Sequence, residues 1–146
     1  MTTSDLSGKR VLLLGAETEL GAEIARALTD AGASLALIAA SNDPQTAFAV
    51  QRLARKLEAP VSQAIDATNE MAVRVMVRQV SKELRGLDVV VFCGPDDVRI
   101  RALILQYGQK ELGRHGGGVL VDAEGRSPQD AFTELAAALA APPRSG

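Results

Sequence analysis

The run Arg10-Val11-Leu12-Leu13-Leu14 ends at Gly15, and a second glycine, Gly21, follows across Ala16-Glu17-Thr18-Glu19-Leu20. An unbroken apolar run closed by glycine suits a strand covered on both faces, as in a parallel sheet. From Glu19 to Ala31 the pattern is that of a helix. Strand, glycine turn and helix in that order open a dinucleotide-binding βαβ unit, whose helix N-terminus receives a pyrophosphate. Here the place nearest that phosphate holds Glu19.

The same alternation runs along the chain. Strands are predicted at Arg10–Gly15, Ser34–Ala40, Val61–Ile65, Asp88–Cys93 and Val119–Ala123. Helices are predicted at Glu19–Ala31, Pro44–Leu57, Glu70–Leu84, Asp97–Leu112 and Pro128–Ala140. Thr18, Asp43, Asn69, Asp97 and Ser127 stand where N-caps are needed, and Pro44 and Pro128 suit a first turn. Gly32 and Gly86 stop the first and third helices. Strict alternation with right-handed crossovers gives an α/β sandwich with helices on both faces of a five-stranded parallel sheet, expected in the order 3-2-1-4-5. With 146 residues the chain reads as one domain, residues 1–146, with a polar lead at 1–8 and a flexible tail at 142–146.

Composition removes several function classes. The net charge of −2 gives no electrostatic footprint for nucleic acid, and with no Trp and 3% aromatics there is little for bases to stack on. Cys93 is the only cysteine, so an internal disulfide and a multi-cysteine metal site are excluded. No apolar run reaches the roughly 20 residues of a membrane span, and a cytoplasmic location is expected.

Leu6-Ser7-Gly8-Lys9-Arg10 before the first strand, Gly15 and Gly21, Asp66-Ala67-Thr68 after the third strand and Leu87-Asp88-Val89-Val90-Val91 as the fourth follow one layout. In these motifs the chain resembles the short-chain dehydrogenase/reductases, from Leu6 to about Ala123, with a Rossmann-like fold implied. The family's glycine motif is Thr-Gly-x-x-x-Gly-x-Gly. Here Leu14-Gly15-Ala16-Glu17-Thr18-Glu19-Leu20-Gly21 keeps the first and last glycines and replaces the middle one by Glu19. The resemblance implies cofactor-binding roles for Gly15, Gly21, Asp66 and Gly94. Glu19 brings a negative charge to where a dianion would bind, which opposes phosphate. The same glutamate stabilises a first helical turn through the helix dipole, by about 0.3–1 kcal/mol. On that second account the protein itself fills the anion site, and the site is vestigial.

The end of the second strand, Ile38-Ala39-Ala40-Ser41-Asn42, carries no charge and reveals no preference between NAD and NADP. The family's Asn-Asn-Ala-Gly aligns with Phe92-Cys93-Gly94-Pro95, where the amides are lost and Cys93 reads as a buried structural thiol. The family's catalytic serine falls near Glu124-Gly125. Its Tyr-x-x-x-Lys pair has no counterpart, because Tyr107 precedes the fifth strand and is followed by Lys110 at i+3. Phe132-Thr133-Glu134-Leu135-Ala136 resembles a remnant of the helix after the active site. No catalytic residue is assigned, no cofactor is expected, and NAD or NADP stands as the alternative.

Other chemistry finds little support. His115, the only histidine, reads as a solvated residue beside a helix dipole, and no metal site is expected. Asp96, Asp97, Asp122 and Glu124 could meet at the C-terminal edge of the sheet. The fourth helix is apolar on more than one face. Ile100, Leu103, Ile104 and Tyr107 make one stripe, and Val98, Ala102 and Leu105 another. Val98, Ala102, Leu105 and Tyr107 are therefore candidate interface residues, for self-association or for a related partner through the third and fourth helices. Arg99 and Arg101 read as a solvated face. The resulting expectation is a truncated, non-catalytic family member acting as a binding or assembly subunit. The alternative is an NAD(P)-binding protein or weak oxidoreductase, completed by a partner chain.

Overall fold

A computed structural model describes residues 6–140. Residues 1–5 of the expected polar lead, and the expected tail at 142–146, lie outside the described residues. The strands are β1 (Arg10–Leu14), β2 (Ser34–Ala39), β3 (Val61–Ala64), β4 (Val89–Phe92) and β5 (Val119–Asp122). The helices are α1 (Glu19–Asp30), α2 (Pro44–Leu57), α3 (Glu70–Leu84), α4 (Val98–Arg114) and α5 (Pro128–Ala140). All strand pairs are parallel and the sheet order is β3-β2-β1-β4-β5, as the alternation predicts.

The two-residue period of each strand sorts the core into two layers. Val11 and Leu13, with Leu35, Leu37, Val89, Val91 and Val121, face α1, α2 and α5. Leu12 and Leu14, with Ala36, Ile38, Val90 and Phe92, face α3 and α4. Each fully buried Leu or Val side chain stabilises the fold by about 1.5–3 kcal/mol, so a core with few aromatics suffices. The caps are those the sequence predicts: Thr18, Asp43, Asn69 and Asp97 accept first-turn amides of α1 to α4, and Ser127 Oγ accepts the Asp130 amide.

One placement differs from the resemblance. A right-handed crossover from β5 toward a further strand beyond it would run over the face that holds α3 and α4. Instead α5 packs against α1, with Ala131 and Leu135 buried in the first layer. The segment around Phe132 therefore does not extend the α3–α4 layer, and the flank of α4 beside β5 is left without a covering helix among the described residues.

Candidate functional site

The sheet order reverses direction between β1 and β4, and the crevice beyond the carboxyl ends of such strands is where open α/β sheets take ligands. Gly15 ends β1 and Gly94 follows β4. An added Cβ on Gly15 would stand 2.3 Å from the Gly94 carbonyl oxygen, and one on Gly21 would stand 2.2 Å from the Gly15 carbonyl oxygen. These glycines let three backbone segments touch: the turn after β1, the start of α1 and the loop after β4. The Gly15 and Ala16 amides both donate to the Ile38 carbonyl, at 2.9 and 3.2 Å, tying the turn to β2. Thr18 Oγ1 donates to the Gly15 carbonyl at 2.8 Å and accepts the Gly21 amide at 2.9 Å.

Glu19 is exposed, and no ion pair or side-chain hydrogen bond holds its carboxylate in the turn among the described residues. The Glu19 and Leu20 amides at the start of α1 likewise meet no acceptor among the described residues, so donors remain for a phosphate. The carboxylate folded into the turn is that of Glu17. Its Oε1 and Oε2 lie 3.1 and 3.2 Å from the Ala40 amide, just past the end of β2. Burial raises the Glu17 pKa, and backbone hydrogen bonds partly offset this. Sequence reasoning missed this residue. Only the parallel register of β1 with β2 brings positions 17 and 40 together.

Asp66 is exposed and accepts from the Thr68 amide at 3.1 Å and from its hydroxyl at 2.6 Å, which hold the carboxylate below its ordinary range. Cys93 is buried, and burial with the nearby Glu17 charge pushes its thiol up to about 12, so the thiolate nucleophile is suppressed.

The C-terminal end of β5 is occupied by ion pairs. Arg101 lies on the inner side of α4, its NH2 group 2.7 Å from Glu124 Oε1, its Nε 3.1 Å from Asp122 Oδ2, and its guanidinium over the Phe92 ring. Asp96 stands 4.0 Å from the same guanidinium. Asp96, Asp122 and Glu124 thus do meet, around an arginine, whereas Asp97 is taken up by capping α4, and Arg101 is not a solvated residue. No cluster of three metal-ligating side chains occurs among the described residues. Tyr107 donates to Glu70 Oε2 at 2.5 Å, a bond that raises its pKa and makes it a poorer acid. It sits nine residues along α4 from Val98, about 14 Å down the axis from the sheet edge.

His115 is also not simply solvated. Its Nε2 lies 2.7 Å from Ser81 Oγ and 3.2 Å from Glu111 Oε2, and both partners are buried. Glu111 further pairs with Arg78 at 3.3 Å and Arg114 at 3.5 Å. Serine and carboxylate meet the same imidazole nitrogen, so this is a clasp between α3 and α4 and not a proton relay. Of the candidate interface residues, Val98 is 75% exposed, Ala102 is exposed, and Leu105 and Tyr107 are partly buried. No helix among the described residues is long and apolar enough to cross a membrane.

The family model described as enoyl-(acyl carrier protein) reductase matches residues 15–94, more than half of the chain. A short-chain type dehydrogenase/reductase from Mycobacterium marinum is 28% identical over 80% of this chain and 55% of its own, with a TM-score of 0.67. A hydroxysteroid dehydrogenase from Escherichia coli is 20% identical over 94% of this chain and 65% of its own, with a TM-score of 0.72. A xylitol dehydrogenase solved with NAD+ bound is 18% identical over 92% of this chain and 62% of its own, with a TM-score of 0.65. The last two likenesses bear on the fold alone. The chain spans between half and two thirds of the length of these proteins. No curated protein matches the sequence. The expectation that no cofactor is involved is overturned. The family match runs from Gly15 to Gly94, the two glycines of the crevice, and the first amides of α1 meet no acceptor among the described residues.

Proposed function

Because the chain belongs to the short-chain dehydrogenase/reductase family, we propose that it binds a nicotinamide dinucleotide in the crevice beyond the carboxyl ends of β1 and β4, over the contact of Gly15 with Gly94, and that it acts as a binding and assembly subunit. The observation that carries this reading is the contact of Gly15 with Gly94 at the point where the sheet order reverses, beside unpartnered amides of α1. Gly15 and Gly21 would let the chain approach the pyrophosphate, the Glu19 and Leu20 amides would bond it, and Asp66 would stand beside the adenine. The dinucleotide, when bound, supplies hydride chemistry.

The chain's own residues suit holding that group better than using it. At the end of β5 the side chains within reach are Asp122 and Glu124, both engaged by Arg101. Tyr107 is engaged by Glu70 on another face. An oxidoreductase built on this chain would draw its proton donor from a partner chain or from a segment outside these residues. The uncovered flank of α4, with Val98, Ala102 and Leu105, supports association there, with a second copy or a related chain.

The test is a titration of purified protein with NADH, followed by the cofactor's fluorescence, and with NAD+ by calorimetry, with the mass in solution measured on the same sample. Micromolar binding by a dimer or larger species is expected. No binding at millimolar dinucleotide would overturn the cofactor reading, and a monomer at all concentrations would overturn the assembly reading.

A further inference from the structure

In sheets of this type the choice between NAD and NADP falls at the end of the second strand, where a carboxylate accepts the adenosine ribose hydroxyls or a cation accepts a 2′-phosphate. In this chain that position is Ala40-Ser41-Asn42, which offers neither. The Glu17 side chain reaches the same place from the opposite wall. The turn that carries it is pinned to β2 by the Gly15 and Ala16 amides on the Ile38 carbonyl, and its carboxylate closes on the Ala40 amide at 3.1 and 3.2 Å. Resting on the dinucleotide reading above, we infer that Glu17 is the cofactor-selecting residue: its carboxylate, displaced from β2 to the glycine turn, accepts the ribose diol of NAD and turns away the 2′-phosphate of NADP.

Three observations support the assignment. A carboxylate has about four lone-pair sites, and the backbone amides of Glu17 and Ala40 leave capacity for two hydroxyl donors. No cation pairs with Glu17 among the described residues, so its charge is uncompensated. From Val11 to Gln51 the only basic residue is Arg26, past the middle of α1, so the glycine turn and the end of β2 carry no cation of their own for a 2′-phosphate, while Asp43 adds a further negative charge. A half-buried carboxylate facing a phosphate at contact distance discriminates more strongly than the same pair in water.

The experiment titrates wild type, Glu17→Gln and Glu17→Ser with NAD+ and NADP+ by calorimetry, each variant first checked for an unchanged unfolding midpoint. Glutamine keeps an acceptor for the Ala40 amide and removes the charge. Serine removes the reach altogether. Wild type is expected to bind NAD+ at least about tenfold more tightly than NADP+. In both variants that ratio should collapse toward one, chiefly through a gain for NADP+. A wild type that binds both equally, or variants that weaken both equally, would overturn the assignment and leave the dinucleotide reading standing. Binding of both cofactors by the variants and of neither by wild type would make Glu17 a plug and overturn its role as selector. Failure of all three proteins to bind either cofactor would remove the dinucleotide reading itself, and the assignment with it.

Discussion

Gly15 and Gly94 touch so closely that a methyl group on the first would lie 2.3 Å from the carbonyl oxygen and 2.8 Å from the amide nitrogen of the second. Gly15 also has φ +94°, a conformation that L residues rarely adopt. Both effects act in the same direction. Gly15→Ala should cost about 2 kcal/mol or more, because the turn is held by the bonds from residues 15 and 16 to Ile38 and the loop after β4 by the Cys93 amide on the Leu14 carbonyl. A lower urea midpoint with an unchanged slope would show it. A variant as stable as wild type would mean the loop after β4 moves freely, and the crevice would lose its fixed shape.

Glu19 gives a separable effect, because it is exposed and takes no part in the contact of Gly15 with Gly94. Glu19→Gly removes a charge from the side where a pyrophosphate would approach. Dinucleotide affinity should rise about threefold to tenfold, with the gain shrinking as salt screens the charge. The same change should cost about 1 kcal/mol of stability, through helix propensity and the lost dipole partner. Titrations at low and high ionic strength, beside an unfolding curve, separate the two. Unchanged affinity at low salt would show that Glu19 does not act on the bound group.

The fold was legible because its signals are local. Apolar runs of four to six residues, five side-chain caps and the stops at Gly32 and Gly86 each act within one turn or strand. Long-range polar contacts were not legible. Glu17 meets Ala40 across 23 residues, Arg101 meets Asp122 beside β5, and Ser81 meets His115 across 34 residues. Nothing in periodicity marks a charged residue as buried, yet Glu111 on α4 is only 3% exposed. The side taken by α5 was equally hidden, since its apolar residues fit either face of the sheet.

Arg10 and Asp88 fasten the N-terminal ends of β1 and β4. The Arg10 backbone amide and Nε both donate to Asp88 Oδ2 at 2.9 Å, and its NH2 group donates to Oδ1 at 3.1 Å. The Arg10 hydrogen bond holds the Asp88 carboxyl below its ordinary range. The folded state therefore binds fewer protons here than the unfolded one. Its contribution is present above the unfolded carboxyl value, near 3.9, and is lost as pH falls through the lower folded value. Asp88→Asn should cost about 1–2 kcal/mol at pH 7, the pair being partly exposed and screened. The gap between variant and wild type should narrow steadily below about pH 4. Urea midpoints for both proteins across pH 2.5–7, a range set about that value, would check this. A gap independent of pH would place the cost in geometry and not in charge.

The uncovered flank of α4 makes the last prediction. Val98 is three-quarters exposed at the first turn of α4, and Ala102 and Leu105 follow it at helical spacing on the side that α5 leaves open. Val98 takes no part in either core layer, so Val98→Glu should leave the unfolding midpoint within about 0.5 kcal/mol of wild type. In an interface the same change buries an unpaired charge, which costs several kcal/mol and shifts association by more than about a hundredfold. Sedimentation of wild type and variant over a range of concentrations would then show a dimer for the first and a monomer for the second. Loss of stability without a change in mass would show that this flank serves the fold. Identical mass and stability would place any assembly surface elsewhere, with the exposed α3 residues Met71 and Val75 the next to change.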